Sequence, residues 1–295
     1  MPDIIQFNSK KCRKCGLCAE VCPNKIIKKE SSGEMSVRQD RAFLCFQCGQ
    51  CMAVCPAYAI NTYGLSYVED FFNLPKSSSF KEPFYNMIES RRSVRNFKDK
   101  AVPKDMLEKI VQAIAFAPPS FPPIKTELIV VQNTTVIKKA LPYMIQTYDF
   151  IVKAMENPII KLIIRLKAGR ETFLTLVNHG IPIMKTRLPE LKKATEDTIT
   201  RNAPAMILFH ANRNAENHKA DIYIAATYGI LAAHSLGLGA TIIDLISNAV
   251  ERNKELRKMF LIPDNNEVGA AMIVGYPAYK YQRGIKRELK TVKWI

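Results

Sequence analysis

Residues 12–23 read CRKCGLCAEVCP, and residues 45–56 read CFQCGQCMAVCP. Each stretch has the spacing C-x2-C-x2-C-x3-C-P, and together they hold all 8 cysteines of the 295-residue chain. The second stretch begins 33 residues after the first, so Gly16 corresponds to Gly49. A glycine inside each run suits a backbone that turns tightly, because glycine adopts positive φ readily. The repeat predicts a small N-terminal unit with two similar halves.

Three kinds of site could use these cysteines. Disulfides are disfavoured because the N-terminal residues, MPDIIQFNSKKC, lack the layout of a signal peptide, so we expect a cytoplasmic protein with reduced thiols. Zinc sites pair two C-x2-C motifs, which leaves the third and fourth cysteine of each run unexplained. Cubane clusters use every cysteine, because each run supplies three thiolates to one cluster and a fourth elsewhere. The spacing therefore predicts two [4Fe–4S] clusters.

Residues 1–62 resemble the bacterial two-cluster ferredoxins. In those proteins the fourth cysteine of each run binds the other cluster. The resemblance implies one cluster on Cys12, Cys15, Cys18 and Cys55, and the other on Cys22, Cys45, Cys48 and Cys51. Ile26, Ile27, Tyr58 and Ile60 are expected to shield the clusters from water.

A linker is predicted over residues 63–83, where aromatic residues mix with prolines and a serine run. A helix over Phe84–Ser90 opens the next domain, and residues 91–97 then read RRSVRNF. Three arginines and a serine within five residues suit a phosphate, because guanidinium groups bind its oxygens in pairs. A solvated basic surface is the alternative interpretation.

Further elements follow this basic run. Pro103 and Asp105 open an amphipathic helix that ends before APPS at 117–120. Apolar runs predict buried strands over 128–131 and 204–210. A long helix over 221–236 leads into LGLGAT at 236–241, and GYP stands at 275–277.

This order of motifs resembles the nitroreductase family of FMN-dependent oxidoreductases, over residues 84–144 and 200–295. The whole chain resembles the ferredoxin-containing members. The resemblance implies an α+β fold: a three-layer domain with a central, mostly antiparallel sheet flanked by helices, preceded by the ferredoxin-like domain. We expect that domain at 1–62 and the FMN domain at 84–295, with a helical insertion at about 140–200. A homodimer is expected because the family usually forms dimers.

The resemblance also implies which residues hold FMN. The basic run would bind its phosphate and ribityl chain, the loop after the first helix would line it, and the backbone at 242–245 would reach the flavin ring. A C-terminal basic residue would return to the phosphate, with Arg283 preferred and Lys280 and Lys286 as alternates; a plain basic tail is the alternative reading. The expected cofactor-binding residues are Arg91, Arg92, Ser93, Arg95, Ser120, Pro122, Ile242, Ile243, Asp244, Leu245, Lys280 and Arg283.

The formal charge of +16, from 43 basic and 27 acidic residues, favours an anionic cofactor or an acidic redox partner. Nucleic acid is disfavoured because the sequence has no helix-turn-helix, zinc-finger or aromatic-basic pattern. No apolar run approaches the roughly 20 residues of a membrane span, so no membrane partner is expected. The 140–200 segment could form a membrane-surface helix, but an insertion that covers the active site or bridges to the ferredoxin domain is favoured.

The sequence thus predicts an FMN-dependent oxidoreductase. Single electrons would pass from a donor, an acidic ferredoxin, a flavodoxin or NAD(P)H, through two clusters to FMN. A nitroaromatic, quinone or enone would accept them, and no side-chain acid or base is required, so no catalytic residue is assigned. One alternative passes electrons from NAD(P)H through FMN to a ferredoxin-type partner, although the chain lacks G-x-G-x-x-G. The other is a non-catalytic electron carrier.

Overall fold

The computed structural model describes residues 4–74, 83–120 and 126–295. The chain divides into two compact units, one made of Met1–Arg92 with Ala278–Ile295 and the other of Ser93–Pro277. In the described parts of the chain, no helix is both long and apolar enough to cross a membrane.

The first unit is built from three short antiparallel strand pairs and short helices. Its strands are β1 (Ile5–Phe7), β2 (Ile27–Lys29), β3 (Met35–Val37), β4 (Ile60–Thr62), β5 (Phe71–Asn73) and, at the end of the chain, β10 (Arg283–Ile285). Its helices are α1 (Leu17–Val21), α2 (Gln50–Val54) and α3 (Pro83–Ser90), with a 3₁₀ turn at Gln39–Leu44. The pairs are β1 with β4, β2 with β3, and β5 with β10.

The two halves of the cysteine repeat fold alike. Gly16 precedes α1 with φ 82°, and Gly49 precedes α2 with φ 71°. Both values lie in the left-handed region that glycine enters without a Cβ penalty. The sequence prediction of a tight turn at each glycine is therefore confirmed. The helix predicted over Phe84–Ser90 is also confirmed, as α3.

The compact units divide the chain differently from the expected domains at 1–62 and 84–295. Part of the expected linker, residues 71–73, forms β5, and its antiparallel partner is β10, in register from Asn73–Arg283 to Phe71–Ile285. Residues 278–295 therefore belong to the first unit. Backbone hydrogen bonding explains why β10 pairs with β5, because the N–H and C=O groups of a short strand need partners on a neighbouring strand.

The second unit contains a four-stranded antiparallel sheet in its described residues, in the order β6-β7-β9-β8. Its strands are β6 (Glu127–Val131), β7 (Ala205–Asn212), β8 (Gly239–Ile242) and β9 (Asn266–Gly275). The two central strands are almost wholly buried, which confirms the strand predicted over 204–210. The prediction that 128–131 is a buried strand is corrected: β6 lies at the sheet edge, and only Val131 is fully buried.

The second unit also contains helices, most of which cover the two faces of this sheet. They are α4 (Lys104–Ile114), α5 (Thr134–Ala154), α6 (Pro158–Ala168), α7 (Arg170–Thr175), α8 (Ile181–Lys192), α9 (His218–Ser235), α10 (Asp244–Arg252) and α11 (Lys254–Met259). In β7, Met206 and Leu208 face the core formed with α5, α8, α10 and α11, and Ile207 and Phe209 face the core formed with α4 and α9. This alternation confirms the expected three-layer α+β fold.

The expected insertion at 140–200 is helical, but it is not uniformly peripheral. Met144 and Tyr148 of α5 and Leu188 of α8 are buried in the core beside the sheet. In contrast, α6 and α7 have no buried residue, and Leu166 of α6 is 75% exposed. The segment therefore contains two helices that pack in the core, α5 and α8, and two that lie at the surface, α6 and α7.

Candidate functional site

The first cysteine group lines a small open cavity in the first unit. Burial, together with the neighbouring Cys55, Cys15 and Cys12, raises the pKa of Cys18 to about 12. Thiols that influence one another in this way lie close together, since like charges disfavour each other's ionisation. The cavity is lined by Cys12, Cys15, Cys18 and Cys55, together with apolar residues such as Leu17 and Ile60.

The second group forms around Cys51, whose pKa is raised by burial and, more weakly, by Cys48, Cys22 and Cys18. The Thr62 hydroxyl lies 3.5 Å from the Cys51 sulfur and lowers that pKa in part. The pKa of Cys45 is likewise raised, mainly by burial and also by Cys22. The first group takes Cys12, Cys15 and Cys18 from one run and Cys55 from the other, which is the arrangement that the ferredoxin resemblance implies.

The chemistry of this donor set fits iron–sulfur clusters. Thiolates that lie close together in a partly buried site repel one another. Bound iron offsets this repulsion, because its positive charge stabilises the deprotonated thiols that bind it. Among the described residues, no group of three or more His, Cys, Asp or Glu side chains is arranged to hold a single metal ion. Cys12, Cys15, Cys18 and Cys55 line a cavity instead.

Backbone amides supply matched hydrogen bonds at the fourth cysteine of each run. The N–H of Ile26 donates to Cys22 Sγ, and the N–H of Ala59 donates to Cys55 Sγ, each at 3.3 Å. N–H···S bonds of this kind tune the potential of a cluster. Ile26, Ile27 and Ile60 are buried, as expected of shielding residues, whereas Tyr58 is 46% exposed.

Arg283, expected to bind the FMN phosphate, lies in the first unit and is only 4% exposed. Its guanidinium carbon stacks 3.4 Å from the centre of the Tyr58 ring. Its Nη1 donates to the carbonyl oxygens of Met52, at 3.2 Å, and of Cys55. These contacts differ from those expected of a phosphate ligand. Of the two alternates, Lys280 is exposed and Lys286 donates to the Val68 carbonyl oxygen at 3.1 Å.

Arg92 has the features of an anion ligand. Its Nε donates to the Arg283 carbonyl oxygen at 3.3 Å and its Nη1 to that of Arg91 at 2.6 Å. Its Nη2 is buried and has no hydrogen-bond partner among the described residues. Burial, and then the charges of Arg91 and Arg287, lower the pKa of Arg92 to about 10. A buried cation beside like charges would be stabilised by an anion, so this place fits the FMN phosphate.

In the second unit, the end of the basic run lies against β8. Ser93 forms a parallel β-bridge with Ala240, and the Val94 N–H donates to the Ala240 carbonyl oxygen at 3.2 Å. A Cβ at Gly239 would lie 2.6 Å from Val94, so this close approach requires glycine. The Arg95 Nη1 donates to the Ser93 carbonyl oxygen at 3.3 Å. The structure therefore brings together two segments that the sequence analysis assigned separately to FMN.

Helix contacts hold the segment 242–245 in place. Asp244 is the first residue of α10, and its Oδ1 lies 3.4 Å from the Tyr223 hydroxyl of α9. The Leu245 carbonyl oxygen accepts from the Tyr148 hydroxyl of α5 at 2.7 Å. Ile242 and Ile243 complete β8 and its junction with α10. The backbone near the expected flavin edge is thus fixed by two tyrosines that the sequence analysis did not identify.

Ser120 is held by a carboxylate that the sequence analysis also missed. Both oxygens of Asp221 accept from Ser120, one from its N–H at 3.0 Å and one from its hydroxyl at 2.8 Å. Asp221 is buried in α9, and an acidic residue within an otherwise apolar helix was the available signal. Pro122, the other expected residue of this loop, lies outside the described residues.

Comparison with known proteins gives two family matches. The sequence model of the nitroreductase family matches residues 88–276, and that of the 4Fe-4S dicluster domain matches residues 11–60. A curated Methanothermobacter thermautotrophicus protein is 23% identical over 195 residues, which cover 65% of this chain and 75% of that protein. Its provisional name is NADH dehydrogenase/NAD(P)H nitroreductase.

Solved structures share the fold. A Bacteroides fragilis nitroreductase with bound FMN has a TM-score of 0.50 at 21% identity, covering 71% of this chain and 94% of its own. A Desulfitobacterium hafniense nitroreductase with bound FMN has a TM-score of 0.52 at 18% identity, covering 72% and 97%. These likenesses agree with the family match, which spans more than half of the chain. The chain therefore belongs to the nitroreductase family of oxidoreductases and carries an N-terminal 4Fe-4S dicluster domain.

Proposed function

We propose that this protein is an FMN-dependent oxidoreductase that receives single electrons through two [4Fe–4S] clusters and reduces a small organic acceptor. The observation that supports the proposal is a cavity lined by Cys12, Cys15, Cys18 and Cys55, in a nitroreductase-family chain that carries a 4Fe-4S dicluster domain. When bound, iron–sulfur clusters carry electrons one at a time, and a flavin can pass them on as a hydride equivalent.

The chain's own residues would bind and orient the flavin. The orphaned Nη2 of Arg92 supports a phosphate ligand there, with Arg91 adding charge. Hydrogen bonding between Val94 and Ala240 would keep the basic run beside the segment expected at the flavin ring. The remaining proposed FMN contacts are Ser93, Arg95, Ser120, Pro122, Ile242, Ile243, Asp244, Leu245 and Lys280.

The proposed acceptor is a nitroaromatic, a quinone or an enone. An acidic ferredoxin or flavodoxin suits the net charge of +16 as a donor, because opposite charges speed encounter. NAD(P)H is a second candidate donor, favoured by the name of the Methanothermobacter relative. We further propose a cytoplasmic homodimer.

Anaerobic purification with iron, sulfide and flavin analysis tests the cofactor content. We expect about eight irons and about one FMN per chain, since each cubane cluster holds four irons. Fewer than about six irons would contradict the two clusters. Clusters without flavin would identify an electron carrier instead.

Stopped-flow spectroscopy tests the donor and the direction of electron flow. The flavin absorbance should bleach faster with reduced ferredoxin or flavodoxin than with NAD(P)H, followed by reoxidation when a nitroaromatic, quinone or enone is added. Rapid bleaching by NAD(P)H followed by reduction of ferredoxin would favour the reverse direction. An Arg92→Gln variant tests whether Arg92 binds the flavin. Lys290→Gln, at an exposed position, is the control for the loss of one positive charge.

A further inference from the structure

The two halves of the cysteine repeat differ at their fourth cysteines. Lys25 and Tyr58 occupy equivalent places after Cys22 and Cys55, and both have positive φ, of 51° and 53°. At Lys25 the side chain donates to the Glu20 carbonyl oxygen at 3.1 Å in an exposed setting. At Tyr58 the Arg283 guanidinium stacks on the ring. The two halves therefore share a backbone conformation at this position, but the half that contains Tyr58 contacts an arginine of the C-terminal segment.

The charge of Arg283 is buried and poorly compensated. Its Nη1 donates to two carbonyl oxygens, and its Nε is buried without a hydrogen-bond partner among the described residues. None of its hydrogen-bond partners in the described residues is a carboxylate. The other buried arginine in the described part of this unit, Arg41, has the Asp40 carboxylate 3.8 Å from its Nε. Arg283 is thus a net positive charge held at the main chain of Met52 and Cys55.

Tyr67 adds a hydroxyl to the same place. Its ring lies edge-on to Tyr58, with centroids 4.9 Å apart, and 5.3 Å from the Arg283 guanidinium. The Tyr67 hydroxyl is buried and has no hydrogen-bond partner among the described residues. It is therefore a buried donor that a cluster bound nearby could use as a hydrogen bond.

We propose that Arg283 and Tyr67 raise the reduction potential of the cluster held by Cys12, Cys15, Cys18 and Cys55 above that of the cluster held by Cys22, Cys45, Cys48 and Cys51. On reduction, a cluster takes up one electron from the donor and gains one negative charge, and no bond forms or breaks. A buried positive charge and a hydrogen bond to sulfur stabilise that added charge. The inference rests on the proposed function in requiring both clusters.

The test is a redox titration of the full-length, anaerobically purified protein with dithionite, followed by electron paramagnetic resonance. Arg283→Gln removes the charge, Arg283→Lys keeps it without the forked geometry, and Tyr67→Phe removes only the hydroxyl. Lys290→Gln removes one exposed charge from the same C-terminal segment as a control. Iron per chain is measured for every variant, because about eight irons establish the clusters independently of their potentials.

We expect Arg283→Gln to lower the higher of the two midpoint potentials and to shift the lower one less. Tyr67→Phe should lower the same potential by a smaller amount, Arg283→Lys should stay close to wild type, and Lys290→Gln should change neither. Unchanged potentials in fully loaded Arg283→Gln would overturn the proposal. If Arg283→Gln loses iron, unchanged potentials in fully loaded Tyr67→Phe would overturn it equally.

Discussion

The Val94 N–H donates to the carbonyl oxygen of Ala240 at 3.2 Å, which joins residues 93–95, the end of the basic run, to strand β8 of the central sheet. The residues lie far apart in sequence, and both border segments proposed to contact FMN. This contact leaves no room for a Cβ at Gly239. Substitution of Gly239 by alanine, which adds one methyl group, therefore tests it.

Gly239→Ala should destabilise the protein by about 1–3 kcal/mol and weaken flavin retention, because the new methyl would overlap Val94 in a packed core. Urea unfolding and flavin content measure the two effects. Gly180→Ala is the matched control, since there the nearest atom is the end of the Leu176 side chain at 3.2 Å, which can move. Equal stability of the two variants would contradict the close packing.

Removing the Asp221 carboxylate should affect the loop that carries Ser120. Asp221→Ala leaves the N–H and hydroxyl of Ser120 without their acceptors, and we expect a loss of about 1–3 kcal/mol in the free energy of unfolding. Ser120→Ala removes only the hydroxyl bond and should cost about 0.5–1.5 kcal/mol. Denaturant titration of both variants checks this order, and a larger loss for Ser120→Ala would count against the geometry.

Paired cysteine variants distinguish crossed from uncrossed cluster binding. With Cys12 and Cys55 in one group, Cys12→Ala/Cys55→Ala should damage one cluster and leave about four irons per chain. Cys45→Ala/Cys55→Ala removes a ligand from each group and should lower iron content further. Iron analysis of anaerobically purified protein decides between them. The opposite order would show that each run binds its own cluster.

Flavin affinity should depend on pH through Arg92. Its guanidinium pKa is lowered to about 10, so the group loses its proton as pH rises through that value, and an anion bound to it loses its partner. FMN binding should therefore weaken above about pH 10 more than riboflavin binding does, because riboflavin lacks the phosphate. Fluorescence titration of both flavins measures the difference.

Arg92→Gln provides the matching variant for that pH series. It should weaken FMN binding by ~10- to 100-fold at neutral pH, as expected for the loss of a hydrogen bond to a charged group. The difference in pH dependence between FMN and riboflavin should then disappear. If it persists in Arg92→Gln, another group carries the phosphate charge.

Local sequence patterns predicted much of this fold correctly. The helix α4 follows from Leu107, Ile110 and Ile114, which recur at helical spacing and are all buried. The strand β7 follows from an unbroken apolar run at the centre of the sheet. These features depend on residues close in sequence, so periodicity carries the information.

Long-range contacts could not be predicted in this way. Arg283 was assigned to the phosphate because it is basic and near the end of the chain, but its partners at Met52 and Cys55 lie more than 200 residues earlier. Similarly, nothing local to Asp221 indicates that it accepts from Ser120, 101 residues away. Such pairings are decided by how elements pack, which a single sequence does not display.

The pairing of β5 with β10 also bears on the order of events during synthesis. The eight cysteines are synthesised before the second unit, whereas Arg283 and its strand follow only after the whole of the second unit has been made. The first unit therefore acquires its last backbone partners after the second unit is complete. A nascent or truncated chain that ends before β10 would hold the cysteines without the arginine that lies over Tyr58, and we expect it to retain iron less well than the full chain.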